Sequence, residues 1–242
     1  MSLSPYKLLT FDVYGTLVDW ESGIIAALAP SLSKSPSPTN NPTRSQILHA
    51  YHDLERAQQT KTPSMLYCDV LATIHAPLCE KLNLPPPSAS ESRAFGESIG
   101  NWPAFPDTVG ALQRLKKKYR LVVLSNVDRE SFAKTNAGSL EGFEFDAVIT
   151  AQDVGSYKPD LANFEFMLGA VKERFGVERG EVLQTAQSQF HDHHPAQKVG
   201  IRSVWIERPG AIMGNLEENV FDWRFETLGG MADAVEAEGE AE

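Results

Sequence analysis

Residues 8–20 read LLTFDVYGTLVDW and join an apolar strand to a sharp polar turn. Asp12 follows the apolar run directly, and Tyr14, Gly15 and Thr16 come after it. Aspartate and glycine are common in turns, so one interpretation is a strand that ends in an ordinary turn. The alternative is a nucleophilic carboxylate held at the edge of a buried sheet. The residues that follow the other strands decide between the two.

Four further segments are short, β-branched and almost entirely apolar, which is typical of strands buried on both faces of a parallel sheet. They are 120–126, 146–150, 181–186 and 202–207. Amphipathic patterns between them predict helices at 107–119 and 160–175, the latter with an apolar stripe of Leu161, Phe164, Leu168, Val171 and Phe175. Because strand and helix alternate, the sequence predicts a doubly wound, Rossmann-like α/β core with right-handed crossovers.

The alternation stops between residues 19 and 102, where the patterns are helical and no convincing strand is found. Pro77 is expected to kink or split the second of two helical patterns there, at 46–59 and 64–84. We therefore predict a helical cap, 19–102, inserted into an α/β core of 1–18 plus 103–242. Cap and core are expected to move relative to each other, with residues 18–21 and 101–106 as the hinge segments. Irregular structure is expected for 30–44, 84–92 and 236–242.

Composition restricts the partners of the protein. The 242-residue chain has a net charge of −10, which argues against nucleic acid or an anionic membrane, since both require clustered Lys and Arg. The first residues lack a signal-peptide pattern and no apolar run approaches the ~20 residues that span a bilayer, so we expect a cytoplasmic protein.

Cys68 and Cys79 lie too far apart on one helical segment for a disulfide. A small-molecule substrate is expected, and a homodimer is left open.

Polar residues follow each of the first four predicted strands. They are Asp12, the pair Ser125 and Asn126, Lys158 and Asp192. Ligands of an open parallel sheet bind beyond the carboxyl ends of the strands, so these side chains are expected to meet at one edge. Each has an ordinary alternative in a turn, a cap or the surface. Together they favour a catalytic site.

Four segments occur in the order of known motifs: FDVYGTL (11–17), LSNVD (124–128), YKPD (157–160) and AQSQFHDHHPA (186–196). In them the chain resembles the haloacid dehalogenase superfamily of hydrolases, and the resemblance includes the cap after the first strand. Tyr14 and the segment VWIER, 204–208, are most similar to the metal-independent branch that acts on 2-haloacids. This resemblance implies an ester formed on Asp12 and then hydrolysed, without a cofactor or a metal site.

The same residues suit this chemistry. Lys158 keeps the nucleophile Asp12 charged, Ser125 and Asn126 orient the substrate carboxylate, Asp192 is the candidate general base and Thr16 fixes the turn. Backbone N–H groups from Val13 to Thr16 are expected to hold the ester carbonyl oxygen. The remaining candidate substrate-binding residues are Tyr14, Gln187, Gln189 and His191.

Two alternatives stay open. One is a magnesium-dependent phosphatase, but Tyr14 and Gln187 replace two acids that phosphatases of the superfamily use. The other is a non-catalytic binding protein, against which the charged set of Asp12, Lys158 and Asp192 argues.

The cap departs from the dehalogenase pattern. Alignment on Leu54 and Glu55 places Ala50 where dehalogenases of this kind carry an arginine that receives the halide. The candidates to substitute for this arginine are Arg44 and Arg56. His49, Tyr51 and His52 are candidates for residues that line the pocket. The run HDHH, 191–194, is not expected to form a transition-metal site, because neighbouring side chains in such a turn point apart.

Overall fold

Six parallel strands form the sheet at the centre of the computed structural model, which describes residues 2–35 and 41–240. The strands are β1 (Leu8–Phe11), β2 (Arg120–Ser125), β3 (Ala147–Thr150), β4 (Val182–Ala186), β5 (Arg202–Ile206) and β6 (Trp223–Phe225). Their spatial order is β3-β2-β1-β4-β5-β6. The predicted doubly wound α/β fold is thereby confirmed. β6 was not predicted, because three partly exposed edge residues carry no apolar run.

β1 occupies the middle of the sheet, where the direction of winding reverses. Phe11 lies opposite Val123 of β2 on one side and Thr185 of β4 on the other. The crevice beyond this point of reversal is the usual ligand site of such sheets. Because Asp12 follows Phe11, the topology alone places Asp12 at that crevice.

The core helices cover both faces of the sheet. They are α5 (Thr108–Leu115), α6 (Arg129–Ala137), α7 (Ala151–Val154), α8 (Leu161–Phe175), α9 (His194–Lys198) and α10 (Leu228–Glu240). α8 buries Phe164, Leu168 and Val171 of the predicted stripe, while Leu161 at its first position is exposed. α10 continues to Glu240, so the predicted fraying of 236–242 is wrong for its described residues. Arg114 of α5 binds Glu236 and so holds this helix.

The inserted segment contains four helices between β1 and α5. They are α1 (Trp20–Ser33), α2 (Arg44–Lys61), α3 (Tyr67–Lys81) and α4 (Ala89–Glu97), followed by a 3-10 turn (Ser98–Asn101). Within the described part of 19–102 no strand is formed. The division into cap and core at these residues remains a prediction.

Three expectations for this segment were wrong in part. α3 runs through Pro77 as one helix, because Leu78 and Cys79 after the proline are buried and packing continues the helix. α1 includes residues 30–33 of the expected loop 30–44, whose residues 36–40 lie outside the described part of the chain. α4 begins within 84–92, since Ser88 and Glu91 form a capping box. Cys68 and Cys79 are both free thiols, as expected.

The chain enters and leaves the cap through two adjacent segments. Val18 pairs antiparallel with Ala104, and the Asp19 N–H donates to the Pro103 carbonyl at 2.8 Å. These are the segments predicted to act as hinges, and movement about them stays a prediction. None of the helices that the structure describes is long and apolar enough to cross a membrane.

Gly23 of α1 lies against the buried ring of Trp102, and a Cβ at this position would overlap the ring. We expect Gly23→Ala to lower the free energy of unfolding by about 1–3 kcal/mol through overpacking. The matched control is Gly169→Ala in α8, where a Cβ meets nothing within 4 Å. That change is expected to raise the free energy of unfolding by about 0.5–1 kcal/mol. Urea titrations of both variants test the pair, and equal effects would contradict the packing described here.

Candidate active site

Asp12 lies at the carboxyl end of β1 and is almost fully buried. Its Oδ1 accepts from Lys158 Nζ at 3.0 Å, and its Oδ2 accepts from Thr16 Oγ1 at 2.7 Å. The turn that brings Thr16 back to the carboxylate passes through Gly15, whose φ of +103° excludes most other residues. Asp12 is therefore held by a donor on each carboxylate oxygen.

Lys158 joins the two acids of the site. Its side chain is 1% exposed, and Nζ donates to Asp12, to Asp192 Oδ1 at 2.7 Å and to the carbonyl of Leu124 at 2.9 Å. An ammonium has three protons, so all of its donors are used. Burial alone lowers the pKa of Lys158, but the carboxylates of Asp12 and Asp192 outweigh burial and raise this pKa above its ordinary value.

Asn126 holds the backbone of the lysine loop. Its Oδ1 accepts from the Lys158 N–H at 2.7 Å, and its Nδ2 donates to the Lys158 carbonyl at 3.0 Å. This differs from the predicted use of the Asn126 amide against the substrate carboxylate. The clamp between two neighbouring loops was not visible in sequence.

Asp192 has a very different environment from Asp12, although both bind the same lysine. Its Oδ1 also accepts from Gln184 Nε2 at 2.9 Å, whereas Oδ2 is buried with no hydrogen-bond partner in the described part of the chain. Complete burial raises the pKa of Asp192 to about 7 against the opposing effect of Lys158, and the charge of Asp12 adds to the rise. Asp192 therefore exchanges a proton near neutral pH.

The three charged groups face a cavity of about 180 Å³ between the sheet edge and the cap. Ser125 also lines it, and its buried Oγ has no hydrogen-bond partner among residues 2–35 and 41–240. Its hydroxyl is thus available to a bound molecule. The structure brings together Asp12, Thr16, Ser125, Asn126, Lys158 and Asp192 as predicted, while their catalytic roles remain a hypothesis.

The cap side of the cavity is formed mainly by α2. Tyr51, His52, Glu55 and Arg56 line it, and the Arg56 guanidinium lies 4.8 Å from the centre of the Phe190 ring.

The other candidates on the cap lie elsewhere. Ala50 is buried in the apolar core and does not line the cavity. Arg44 instead binds Glu21 at 3.3 Å, and the exposed His49 ring is bonded to the Ser45 carbonyl. Of the two proposed arginine substitutes, only Arg56 is in place.

Three of the five predicted substrate-binding residues line the cavity: Tyr14, Gln187 and His191. Gln187 Nε2 donates to the Met213 carbonyl at 2.9 Å, and Tyr14 bonds Thr135 through its hydroxyl. Burial lowers the pKa of His191 to about 4, so its ring is neutral at neutral pH.

Gln189 and Val13 do not line the cavity. Gln189 accepts from the Val220 N–H at 2.9 Å, because it begins a π-helical turn (Gln189–His193) whose geometry the sequence did not indicate. Of the turn N–H groups predicted to hold an oxyanion, those of Gly15 and Thr16 bond inside the turn. Those of Val13 and Tyr14 remain candidates.

The histidine run does not gather around a common point. His193 bonds Ser203 and the Ala186 carbonyl, and His194 bonds the Glu218 carbonyl. The described residues contain no group of three or more His, Cys, Asp or Glu side chains able to hold a metal ion.

Sequence reasoning missed Arg208, which follows β5 and supports the nucleophile turn. Its Nε and Nη2 donate to the Thr16 carbonyl at 2.9 and 2.7 Å, and its guanidinium lies 4.1 Å from the centre of the Phe105 ring. Arg208 Nη1 also binds Asp107 at 2.5 Å. The signal that identified Lys158 and Asp192, a polar residue in the segment that follows a strand, applied to Arg208 as well.

A family model described as haloacid dehalogenase-like hydrolase matches residues 6–183. The chain belongs to this family. The predicted hydrolase class and superfamily are thereby confirmed.

Curated relatives extend the family assignment over most of the chain. The haloacetate dehalogenase H-2 of Moraxella sp. strain B is 28% identical over 211 residues, covering 86% of this chain and 88% of the relative. The (S)-2-haloacid dehalogenase H-109 of Pseudomonas putida is 24% identical over 220 residues, with 88% and 91% coverage.

Solved structures agree on the fold. The L-2-haloacid dehalogenase of Xanthobacter autotrophicus superposes with a TM-score of 0.76 at 18% identity, covering 96% of this chain and 99% of that one. A HAD-hydrolase of Bacillus subtilis bound to magnesium superposes with a TM-score of 0.72 at 16% identity, covering 96% and 99%. The fold is thus shared by a dehalogenase and a magnesium-bound protein, so the fold alone does not separate the two.

The raised pKa of Asp192 implies that the free energy of unfolding depends on pH. Between pH 4 and 7 the unfolded chain has lost this proton while the folded protein retains it, so rising pH favours unfolding. We expect the unfolding free energy of the wild type, relative to Asp192→Asn, to fall by up to about 1.4 kcal/mol per pH unit in this range. Denaturant titrations at pH 5 and pH 7 measure the difference. A constant difference would show that Asp192 is ionised throughout.

Proposed function

We propose that this protein hydrolyses the carbon–halogen bond of small 2-haloacids through an ester on Asp12. The observation that carries the proposal is the buried Asp12–Lys158–Asp192 set at the cavity, with Tyr14 in place of a second acid. The names of the curated relatives support a haloacid as substrate.

In the first step an Asp12 carboxylate oxygen attacks the halogen-bearing carbon from the side opposite to the halide. A carbon–oxygen bond forms as the carbon–halogen bond breaks, and the halide leaves with the electron pair. Ser125 donates to the substrate carboxylate through its otherwise unpartnered hydroxyl. Arg56 is the cation on the cap wall that receives the halide.

In the second step water attacks the carbonyl carbon of the Asp12 ester. Asp192 accepts the proton from this water, for which a pKa of about 7 is well matched. The N–H groups of Val13 and Tyr14 and the Lys158 ammonium stabilise the negative oxygen that develops. Collapse of the intermediate releases a 2-hydroxy acid and restores the Asp12 carboxylate.

No metal takes part in these steps. The Lys158 ammonium lies between Asp12 and Asp192 and binds one oxygen of each, so a metal cation would compete with it for the same oxygens. Gln187 stands where the superfamily's phosphatases have an acid, and its amide donates to the Met213 carbonyl. Magnesium prefers anionic oxygen ligands, and this donor set does not fit it.

We infer that residues 19–102 rotate as a unit about the paired segments 18–21 and 101–106, admitting substrate and then excluding water during ester formation.

Two aspartate variants separate the two steps. We expect Asp12→Asn to abolish turnover of 2-chloropropionate, whereas Asp192→Asn forms the ester but hydrolyses it at least about 100-fold more slowly, since its base is lost. Mass spectrometry of Asp192→Asn after substrate addition is expected to show the added acyl mass on the peptide that contains Asp12. The control Asp53→Asn changes an exposed acid outside the cavity and should turn over normally. Turnover by a preparation of Asp12→Asn that contains no deamidated protein would refute the assignment of Asp12 as the nucleophile.

Chelation tests the proposed chemistry against the phosphatase alternative. We expect turnover of 2-chloropropionate to survive exhaustive EDTA treatment, because Lys158 supplies the positive charge. No magnesium-dependent hydrolysis of phosphate monoesters is expected. Loss of turnover on chelation and its return with magnesium would replace this proposal with the alternative, and absence of turnover on every substrate would favour a binding protein.

A further inference from the structure

A chain of hydrogen bonds crosses the cap wall of the cavity. Tyr67 donates its hydroxyl proton to Glu55 Oε1 at 2.6 Å, and the Tyr51 hydroxyl lies 2.8 Å from the Tyr67 hydroxyl. All three residues line the cavity that contains Asp12. Tyr51 is 1% exposed and Tyr67 5%, so the arrangement is built into the packing of the cap.

The direction of these hydrogen bonds is determined by proton counting. A phenol has one proton, and Tyr67 gives its proton to the carboxylate, so Tyr51 must donate in the bond between the two phenols. Burial and the Glu55 charge raise the pKa of both tyrosines well above 10, so both hydroxyls stay protonated. Both donor protons are therefore used inside the network.

Within the network of Glu55, Tyr51 and Tyr67 only acceptors remain for a bound molecule. The Glu55 carboxylate accepts hydrogen bonds, and each phenol oxygen retains a lone pair. Gln59 Nε2 also donates a hydrogen bond to Glu55 Oε1, at 3.3 Å. Three other titratable groups face Glu55. His52 Nδ1 lies 3.8 Å from its Oε2, His191 lies beyond His52, and Arg56, the next residue of α2, lines the same cavity.

The opposite wall has the complementary character. Ser125 Oγ is buried without a partner in the described chain, so a hydroxyl donor is available to a substrate carboxylate at the core side. A substrate that spans the cavity thus has its carboxylate at the sheet edge and its remaining substituent at Glu55.

We propose that Glu55, Tyr51 and Tyr67 form a subsite for a hydrogen-bond donor, a hydroxyl or ammonium group, on the substituent of the 2-haloacid substrate. This inference rests on the proposed function for the halogen and extends it to the substituent. An alkyl group at the same place takes water away from the Glu55 carboxylate without giving it a further donor, and polar sites discriminate strongly against such a substituent.

The test compares two substrates of equal heavy-atom number, 2-chloro-3-hydroxypropanoate and 2-chlorobutanoate, at neutral pH. We expect kcat/KM to be at least about tenfold higher for the hydroxylated substrate. Glu55→Met removes the acceptor with little change in size and should bring the ratio close to one, because 2-chlorobutanoate then no longer desolvates a carboxylate. Asp53→Asn removes an acid of the same helix outside the cavity and should keep the wild-type ratio. Equal kcat/KM in the wild type, or a ratio unchanged by Glu55→Met, would overturn the subsite.

A binding measurement separates this inference from the proposed function. If neither chlorinated acid is turned over, calorimetry on Asp12→Asn compares 2,3-dihydroxypropanoate with 2-hydroxybutanoate. Tighter binding of the dihydroxy acid, lost in the Asp12→Asn, Glu55→Met double variant, would support the subsite although the dehalogenase proposal had failed. Equal binding of the two acids would refute the subsite independently of any chemistry.

Discussion

The ammonium of Lys158, shared between Asp12 and Asp192, is the interaction on which the arrangement of the site depends. Moving an ion from water into a protein interior costs several kcal/mol even after relaxation, so each of the three groups is tolerated only because of the others. The lysine reaches both acids and the Leu124 carbonyl at once. That geometry requires β1, β2 and β4 to be neighbours with their carboxyl ends level, which the sheet order β2-β1-β4 provides.

The two carboxylates differ although they bind one cation. Asp12 has a donor on each oxygen, whereas both donors of Asp192 fall on Oδ1 and leave Oδ2 without a hydrogen-bond partner in the described chain. Burial in this environment disfavours the charged form of Asp192 and raises its pKa. In the proposed mechanism this difference matches a nucleophile at Asp12 and a general base at Asp192. The difference is produced by Thr16 and Gln184, which supply their donors at different oxygens.

The core part of the site was predictable from sequence because it follows from a local rule. A buried parallel strand is recognisable by its apolar run, and the carboxyl end of the strand with the segment after it lies at the crevice, so Asp12, Ser125, Lys158 and Asp192 could be placed without knowledge of long-range contacts. Applied to β5, the same rule would have identified Arg208. Roles that depend on partners distant in sequence were not predictable, as the Asn126 clamp on Lys158 and the Gln189 bond to Val220 demonstrate.

Predictions failed most often in the cap, where no comparable rule operates. A helix can bury any of its faces, and its neighbours determine which one, so the continuation of α3 through Pro77 depends on tertiary packing. The cavity-facing positions of α2 include His52, Glu55 and Gln59, a spacing that places them on one side of the helix. From sequence, His52 was a candidate for the pocket, whereas the polar character of Glu55 and Gln59 resembled an exposed surface face.

The missing cap arginine has a geometric explanation in the orientation of α2. Ala50 packs into the apolar core of the protein, so an arginine there would place its charge among apolar side chains and not at the cavity. The positions that do face Asp12 carry Glu55 and its two phenols, with Arg56 beside them. The sheet edge is constrained by strand register and retains the hydrolytic groups. The cap helix is constrained only by its packed face, so the residues on its other face can change what the enzyme binds without disturbing Lys158 and its two acids.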